Sequence, residues 1–477
     1  MGNSHSTSNS RGSAPKTTSN RLQVKAAELE LSPTELLTKA LTQKTSDEEG
    51  LPSGISCSTF NKYLFPHYPD LGIRLFNYIA GKPNSKITTC SNFKAQIEKL
   101  LSILSDDQQR QIYLVMFGDN QSISNEQFRN LLLVIYKIAM FHYPEGPQSC
   151  RQLFRTVQAV VEGAYHRKDE LSIGYMKTWI ERNTPRLINL LHRYVVHILG
   201  TSHVHFRDNF SCPRARSLPS LELELSTPVL EKDCSHFWES SSHPLLPVSQ
   251  VWILASTLPT LYTKPSHELV QTHSASLLQA TNHIAKFLDL NYPSHWALLY
   301  NSNQHGLGPN RFLHHVMNYK GPTLTFLRAE QDLEFCIGST HEWHETQYYW
   351  GGEECTIIQI LPNYHVLERG GKSMYLNFTI RGYPHGIKAG KDPRAPILEI
   401  DDSFALIQFC KVPYKLLSIE VWGCGTPKER EVQLDIRKWQ VKEAEKQRDV
   451  KVKSCDWGNH PDRYLLELAR TPSSNFG

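Results

Sequence analysis

The 477-residue sequence lacks an apolar run long enough to cross a bilayer. A spanning helix needs about 18 or more consecutive apolar residues. The best stretch, Leu131–Phe141, is shorter and carries Lys137. No secretory leader is expected, because the first residues are polar and no apolar segment follows them. The ten cysteines, at 57, 90, 150, 212, 234, 336, 355, 410, 424 and 455, form no CxxC pair. Reduced thiols in a cytosolic chain are the expectation, rather than a disulfide framework. Charge of one sign is also lacking: 51 basic against 47 acidic residues leave a net +4. With no concentrated basic stripe or recognition motif, no nucleic-acid partner is expected.

Motifs for turnover are equally scarce. GxSxG and GxxxxGK[ST] are absent, and GGKS (370–373) lacks the earlier glycine of a phosphate loop and reads as a hairpin turn. HEWHE (341–345) spaces its histidines three apart, not the four that place two ligands on one helix face, and no third ligand is evident. His203 with His205, and the pair His314-His315, read as surface or capping residues. A cysteine nucleophile needs a base and an orienting group gathered in space, and no local signature marks one. The expectation is a protein that is not an enzyme and needs no metal or cofactor. The alternative is a thiol-dependent antioxidant, or a cryptic hydrolase, which requires an exposed, low-pKa cysteine.

What is present begins at the N-terminus. Met1-Gly2-Asn3-Ser4-His5-Ser6 fits the N-myristoylation pattern, with Gly2 as acceptor and Ser6 at its telling position. One myristoyl chain binds membranes only marginally, with a partition constant of about 10⁴ M⁻¹. Arg11, Lys16, Arg21 and Lys25 add weak attraction to an anionic leaflet. Residues 1–28, rich in Ser, Asn, Thr and Lys, read as a disordered, acylated tail.

The rest divides by pattern into an α+β multidomain chain. Residues 29–200 read as helical. Ser124 and Gln127 form a capping-box pair ahead of Phe128, Leu131, Leu132, Ile135 and Ala139 at helical spacing. A later helix near 175–199 is interrupted by Pro185. Two segments, AGKPNSKITTCS (80–91) and MFGDNQSISNEQ (116–127), resemble helix-loop-helix loops with Ile87 and Ile123 at loop position 8. They lack the acids of a calcium loop, so calcium binding is not expected. They are either degenerate EF-hand-like loops or plain helical hairpins. Residues 201–245, with four prolines and many serines, read as a linker. Residues 246–425 hold helical stretches at 247–261 and 267–290. Short β-branched and aromatic runs follow, among them TIIQILP (356–362), SMYLNFTI (373–380) and LLSIEVWG (416–423). Residues 426–477 open on a helix with Thr426, Pro427 and Glu429 as its start signals. Fifteen of the 28 residues from 426 to 453 are charged. Such a helix is not core. Its narrow apolar stripe, Val432, Ile436 and Trp439, is the candidate partner-binding surface.

From Trp296 the chain resembles a TLDc domain. The resemblance rests on WALLYNSNQHGLGPNRFLHHVMNYKGPTLTFLR (296–328), then Phe335 and Trp343, Gly352, Pro362, Tyr375 and Glu420-Val421-Trp422-Gly423. Cys336 stands where the family has glycine. HGIKAGKDPRAPILEID (385–401) lacks the family's double glycine and phenylalanine, so a surface built there is expected to differ. The resemblance implies a β-sandwich flanked by helices, without an established catalytic site. Together with Gly2, the helical half and the charged C-terminal helix, it resembles the Eak-type, mTOR-associated branch. That resemblance implies a membrane-associated adaptor at the cytoplasmic face of lysosomal membranes, and also in the cytosol. Its implied partners are the vacuolar proton ATPase and/or the mTOR complex, with links to oxidative stress.

Overall fold

The computed structural model describes residues 32–51, 53–139, 147–207, 247–263, 296–448 and 463–465. Gly2 and its tail, most of the expected linker and the expected 267–290 helix lie outside them.

The helical half is four helix–strand–helix units in two pairs. The first pair joins α1 (Pro33–Glu49), β1 (Ile55–Ser56) and α2 (Cys57–Leu64) to α3 (Pro69–Ala80), β2 (Ile87–Thr88) and α4 (Cys90–Leu101). The second joins α5 (Asp106–Phe117), β3 (Ser122–Ser124) and α6 (Asn125–Ala139) to α7 (Pro147–Tyr165), β4 (Glu170–Ser172) and α8 (Ile173–Asn183). Each pair is clasped by a short antiparallel ladder, with Ile55 opposite Thr88 and Ile123 opposite Leu171. Loops clasped in pairs are the EF-hand-like arrangement, which goes beyond independent hairpins.

Position 12 of the loops, the calcium-chelating Glu of a working site, holds Thr59, Ser91, Gln127 and Tyr175. Side-chain caps close the loops instead. Ser56, Thr89 and Ser172 accept the N–H of Thr59, Asn92 and Tyr175, and Ser124 and Gln127 bond reciprocally. Each cap satisfies a backbone donor that a new helix leaves orphaned. Phe60 packs against Phe65, Phe76 and Phe93 with ring centroids 5.5–5.9 Å apart, at the centre of the first pair. The chain breaks at Thr184-Pro185-Arg186 and continues as α9 (Leu187–Arg207), so the helical half runs seven residues past position 200.

The C-terminal half is an antiparallel ten-stranded sheet folded into a sandwich. Its strands are β5 (Ala297–Asn301), β6 (Thr323–Ala329), β7 (Leu333–Ser339), β8 (Thr356–Leu361) and β9 (His365–Arg369), then β10 (Met374–Asn377), β11 (Gly386–Ala389), β12 (Leu398–Ile400), β13 (Leu406–Phe409) and β14 (Val412–Gly423). The long β14 belongs to both layers. Its start pairs with β13, and after a register shift at Leu416/Ser418 its remainder lies between β5 and β6. One core, with Leu327, Phe335, Ile337, Leu376, Ile387, Ile407 and Ile419, fills the space between the layers.

The opposite face of β6, β7 and β8 is also covered. Leu324, Phe326, Cys336, Ile358 and Ile360 join the cluster that fills the helical half. Strands buried on both faces read as continuous apolar runs, which explains TLTFL and TIIQIL. α7, α8 and α10 (Val248–Thr257) make the contact. The Tyr364 N–H donates to the Ala159 carbonyl at 2.8 Å, the Val366 N–H to Asn183 Oδ1 at 2.9 Å, and Arg369 to the Thr257 carbonyl at 2.9 Å. The helical half therefore shields one face of the sandwich and leaves its far layer open.

The β13–β14 hairpin turns on Cys410 and Lys411, with φ of 50° and 71°. Two successive left-handed residues in a two-residue loop define a type I′ turn, which prefers Asn-Gly. Replacing Cys410→Asn and Lys411→Gly together is expected to stabilise the protein by about 1 kcal/mol. An unchanged urea midpoint would show that the turn carries no strain.

Candidate functional site

The long helix α12 (Pro427–Arg448) follows α11 (Pro309–Val316) in helix order and leaves β14 after three residues. At its start the Glu429 carboxylate accepts the Thr426 backbone N–H and, at 3.2 Å, the Thr426 hydroxyl. The expected reciprocal box forms only in its Glu half. The Thr426 hydroxyl donates to the carboxylate, and the Glu429 N–H goes to the Thr426 carbonyl.

The root of α12 is polar. Gln433 is fully buried and donates to the carbonyls of His315 and Met317 at 3.2 and 3.0 Å. Arg437 donates to the His315 carbonyl, and Arg430 to that of Leu298 at 3.2 Å. His315, Val316 and Met317 end α11, where carbonyls lack intrahelical partners. An amide and a guanidinium there satisfy acceptors and complement the negative end of the helix dipole.

Val432, Ile436 and Trp439, the stripe singled out in the sequence, do not form this root. Val432 is 46% exposed, Trp439 63% exposed and Ile436 half-buried. The stripe faces outward while a second face holds the helix. Arg430, Gln433 and Arg437 went unremarked in the sequence, although their i, i+3, i+7 spacing marks one helix face.

The root sits among rings and cations. His305 and His315 stack at 3.8 Å, and Tyr300 stacks on His305 at 5.9 Å. The Asn301 N–H donates to His305 Nδ1 at 3.1 Å, so that nitrogen is the acceptor. Burial, then the charge on His305 and that of Arg437, push His315 down to about 4. Burial, then Arg437 and Arg311, lower His305. Burial, then Arg430, pushes Arg437 down to about 10. Histidines depressed in the fold contribute stability that is present above 6.5 and is lost as pH falls toward 4. Acidification toward pH 4 is therefore expected to loosen this junction.

The other sequence candidates fall elsewhere. Burial pushes the Cys336 and Cys424 thiols up, away from the thiolate form, and Cys355 is also buried. Cys410 is exposed at the hairpin tip. In HEWHE, Trp343 is core and donates to Thr323 Oγ1 at 2.8 Å. His341 bonds Thr340, while Glu345 accepts the N–H groups of Phe378 and Thr379. Among the described residues, no three His, Cys, Asp or Glu side chains converge as metal ligands.

This sandwich, with its flanking helices and closing Glu420-Val421-Trp422-Gly423 strand, is a TLDc domain: residues 271–425 match that family. Among curated proteins, the chain is 28% identical over 98 residues to the MTOR-associated protein MEAK7 of Gallus gallus, covering 20% of this chain and 21% of that one. It is 24% identical over 267 residues to Restriction of telomere capping protein 5 of Zygosaccharomyces rouxii (41% of this chain, 47% of the relative). It is 43% identical over 238 residues to the protein of the same name from Colletotrichum graminicola (36% and 39%). The chain thus spans less than half the length of the curated relatives it matches. No helix among the described residues is long and apolar enough to cross a membrane.

Proposed function

We propose that this protein works by attachment and not by turnover, as an adaptor at the cytoplasmic face of a membrane, the lysosomal membrane above all. The observation that carries the reading is a helix anchored to the TLDc domain by one polar face while its apolar stripe, Trp439 at its head, stays exposed. Such a stripe on a rigid root is suited to pack into an apolar groove of a partner. The acyl group at Gly2 supplies a second, weak attachment, and two weak attachments on one chain raise effective concentration. The partners proposed are the vacuolar proton ATPase and the mTOR complex, the latter supported by similarity to a relative named for association with MTOR. The thiol alternative narrows, among the described residues of the TLDc domain, to Cys410.

Affinity purification from membranes tests the reading. Ile436→Ala with Trp439→Ala is expected to lower recovery of the partner about fivefold or more, because two apolar anchors each contribute on the order of 1 kcal/mol or more. Gly2→Ala is expected to move the chain into the soluble fraction. Full recovery with the double variant would remove the stripe from the mechanism.

A further inference from the structure

The far layer of the sandwich, which the helical half leaves uncovered, carries a groove of about 600 Å³. Tyr349 and Tyr375, stacked at 5.2 Å, line it together with Lys388, while Tyr348, Lys372 and Lys391 also border it. All three lysines come from sequence features that the adaptor reading leaves unused. Lys372 is the lysine of GGKS, and Lys388 and Lys391 lie in the 385–401 segment that departs from the family pattern.

The groove is prepared for negative charge. Lys388 is paired with Glu399 at 2.7 Å, but neither Lys372 nor Lys391 forms a side-chain ion pair among the described residues. Three lysines and no acid line the groove; of the acids beyond its lining, Glu368 accepts the Lys391 backbone N–H, Asp392 accepts that of Arg394, and Glu353 lies beside Gly370 and Gly371. Lys372 holds a left-handed φ of 54°, a conformation that costs energy for a side-chain-bearing residue. The Tyr349 hydroxyl is buried without a hydrogen-bond partner, an arrangement that is costly, and its stacked ring is what faces the groove's lining. Burial, then the charge of Glu399, pushes that phenol up to about 12, so it stays a donor. The Tyr375 hydroxyl is occupied, donating to the Pro384 carbonyl at 2.8 Å.

An extended peptide has no sheet edge to join here. The outer edge of β10 is taken by the 346–350 segment, through Thr346 N–H to Leu376 O and reciprocal bonds between Trp350 and Met374. Three lysines around a compact hollow suit a small, highly charged oxyanion instead.

We propose that this groove binds a multiply phosphorylated anion of inositol-phosphate type, with Lys372 and Lys391 holding phosphate oxygens. Two sources share that chemistry: a free inositol phosphate and the headgroup of a membrane phosphoinositide. The second would give the acylated tail the further membrane signal it lacks.

Calorimetry of the full chain with inositol hexakisphosphate tests the soluble source. Flotation of the full chain carrying Gly2→Ala tests the lipid source, so that acylation plays no part. The vesicles are phosphatidylcholine doped with phosphatidylinositol 4,5-bisphosphate, against phosphatidylserine vesicles of matched charge. Lys372→Gly with Lys391→Ala is expected to weaken binding about tenfold or more, the loss of two charge-assisted contacts. Its melting temperature is expected not to fall, since glycine accepts the φ at 372 freely. The charge-matched pair Lys82→Ala with Lys86→Ala, in the helical half, is expected to bind like wild type. Binding of the soluble probe alone assigns the free anion, and binding of doped vesicles assigns the lipid. Absence of both, or equal weakening by the two double variants, overturns the proposal. Neither outcome bears on partner recovery through Trp439.

Discussion

Gly163→Ala is expected to destabilise the protein by roughly 3 kcal/mol and to loosen the helical half from the sandwich. Gly163 lies in α7 where that helix presses on the β8–β9 turn. A Cβ there would sit 2.2 Å from the Tyr364 carbonyl oxygen and 3.1 Å from its nitrogen. Both are backbone atoms, so no rotamer change relieves the clash. The hydrogen bond from Tyr364 N–H to the Ala159 carbonyl, one helical turn earlier, holds the same contact and would lengthen with it. The Gly163 carbonyl also receives Trp179 Nε1–H at 3.1 Å, which couples the site to α8. Thermal unfolding should show a drop of several degrees, and hydrogen exchange should speed up at Tyr364 and Val366. A melting temperature within about a degree of wild type would mean that the two halves do not stabilise one another.

Stability should also carry the signature of one buried acid. Glu420, 1% exposed on β14, accepts Asn301 Nδ2–H at 2.7 Å and Trp422 Nε1–H at 3.3 Å. Burial pushes its carboxyl up from 4.5 to about 7, against the Trp422 hydrogen bond and the attraction of Arg328. The fold therefore holds a proton that the unfolded chain releases between 4.5 and 7. Its contribution is fully present below 4.5 and is lost as pH rises through about 7, a change on the order of 3 kcal/mol. Glu420→Gln, which cannot ionise, should abolish that slope and match or exceed wild-type stability at pH 8. Urea unfolding of both proteins at pH 5, 6.5 and 8 isolates the effect, because His305 and His315 slope the other way in both. An undiminished slope in the variant would show that Glu420 is not its source.

Much of this architecture was legible in the residues. The capping pair Ser124/Gln127 and the apolar spacing after it mark α6, because helix starts and amphipathic faces leave local signals. The order of motifs from Trp296 to Gly423 marks the domain. Two of the four clasped loops carry little sequence signal. Their signal is short, an Ile-Ser at 55–56 and a Leu-Ser at 171–172, and a two-residue strand becomes visible only beside its partner. The polar root of α12 was hidden for another reason. Gln433 reads as solvent-facing until the bare carbonyls at the end of α11, more than a hundred residues away, are brought against it. The groove around Tyr349 has the same origin, since Lys372 comes from one turn, Lys388 and Lys391 from β11 and the turn after it, and the Tyr349 hydroxyl is orphaned only by packing. Patterns of burial propagate along a chain, whereas complementarity between distant polar groups does not.

The direct passage from β14 into α12 has a mechanical consequence. β14 is the strand that both sandwich layers share, and only Cys424, Gly425 and Thr426 separate it from the helix. Beyond Arg437 the helix continues for eleven residues, a lever of about 16 Å. Torque applied at its tip is delivered first to the buried Gln433 pivot and then to the seam that joins the two layers. A partner grasping Trp439 thus pulls on the part of the domain best able to transmit load to everything else in it.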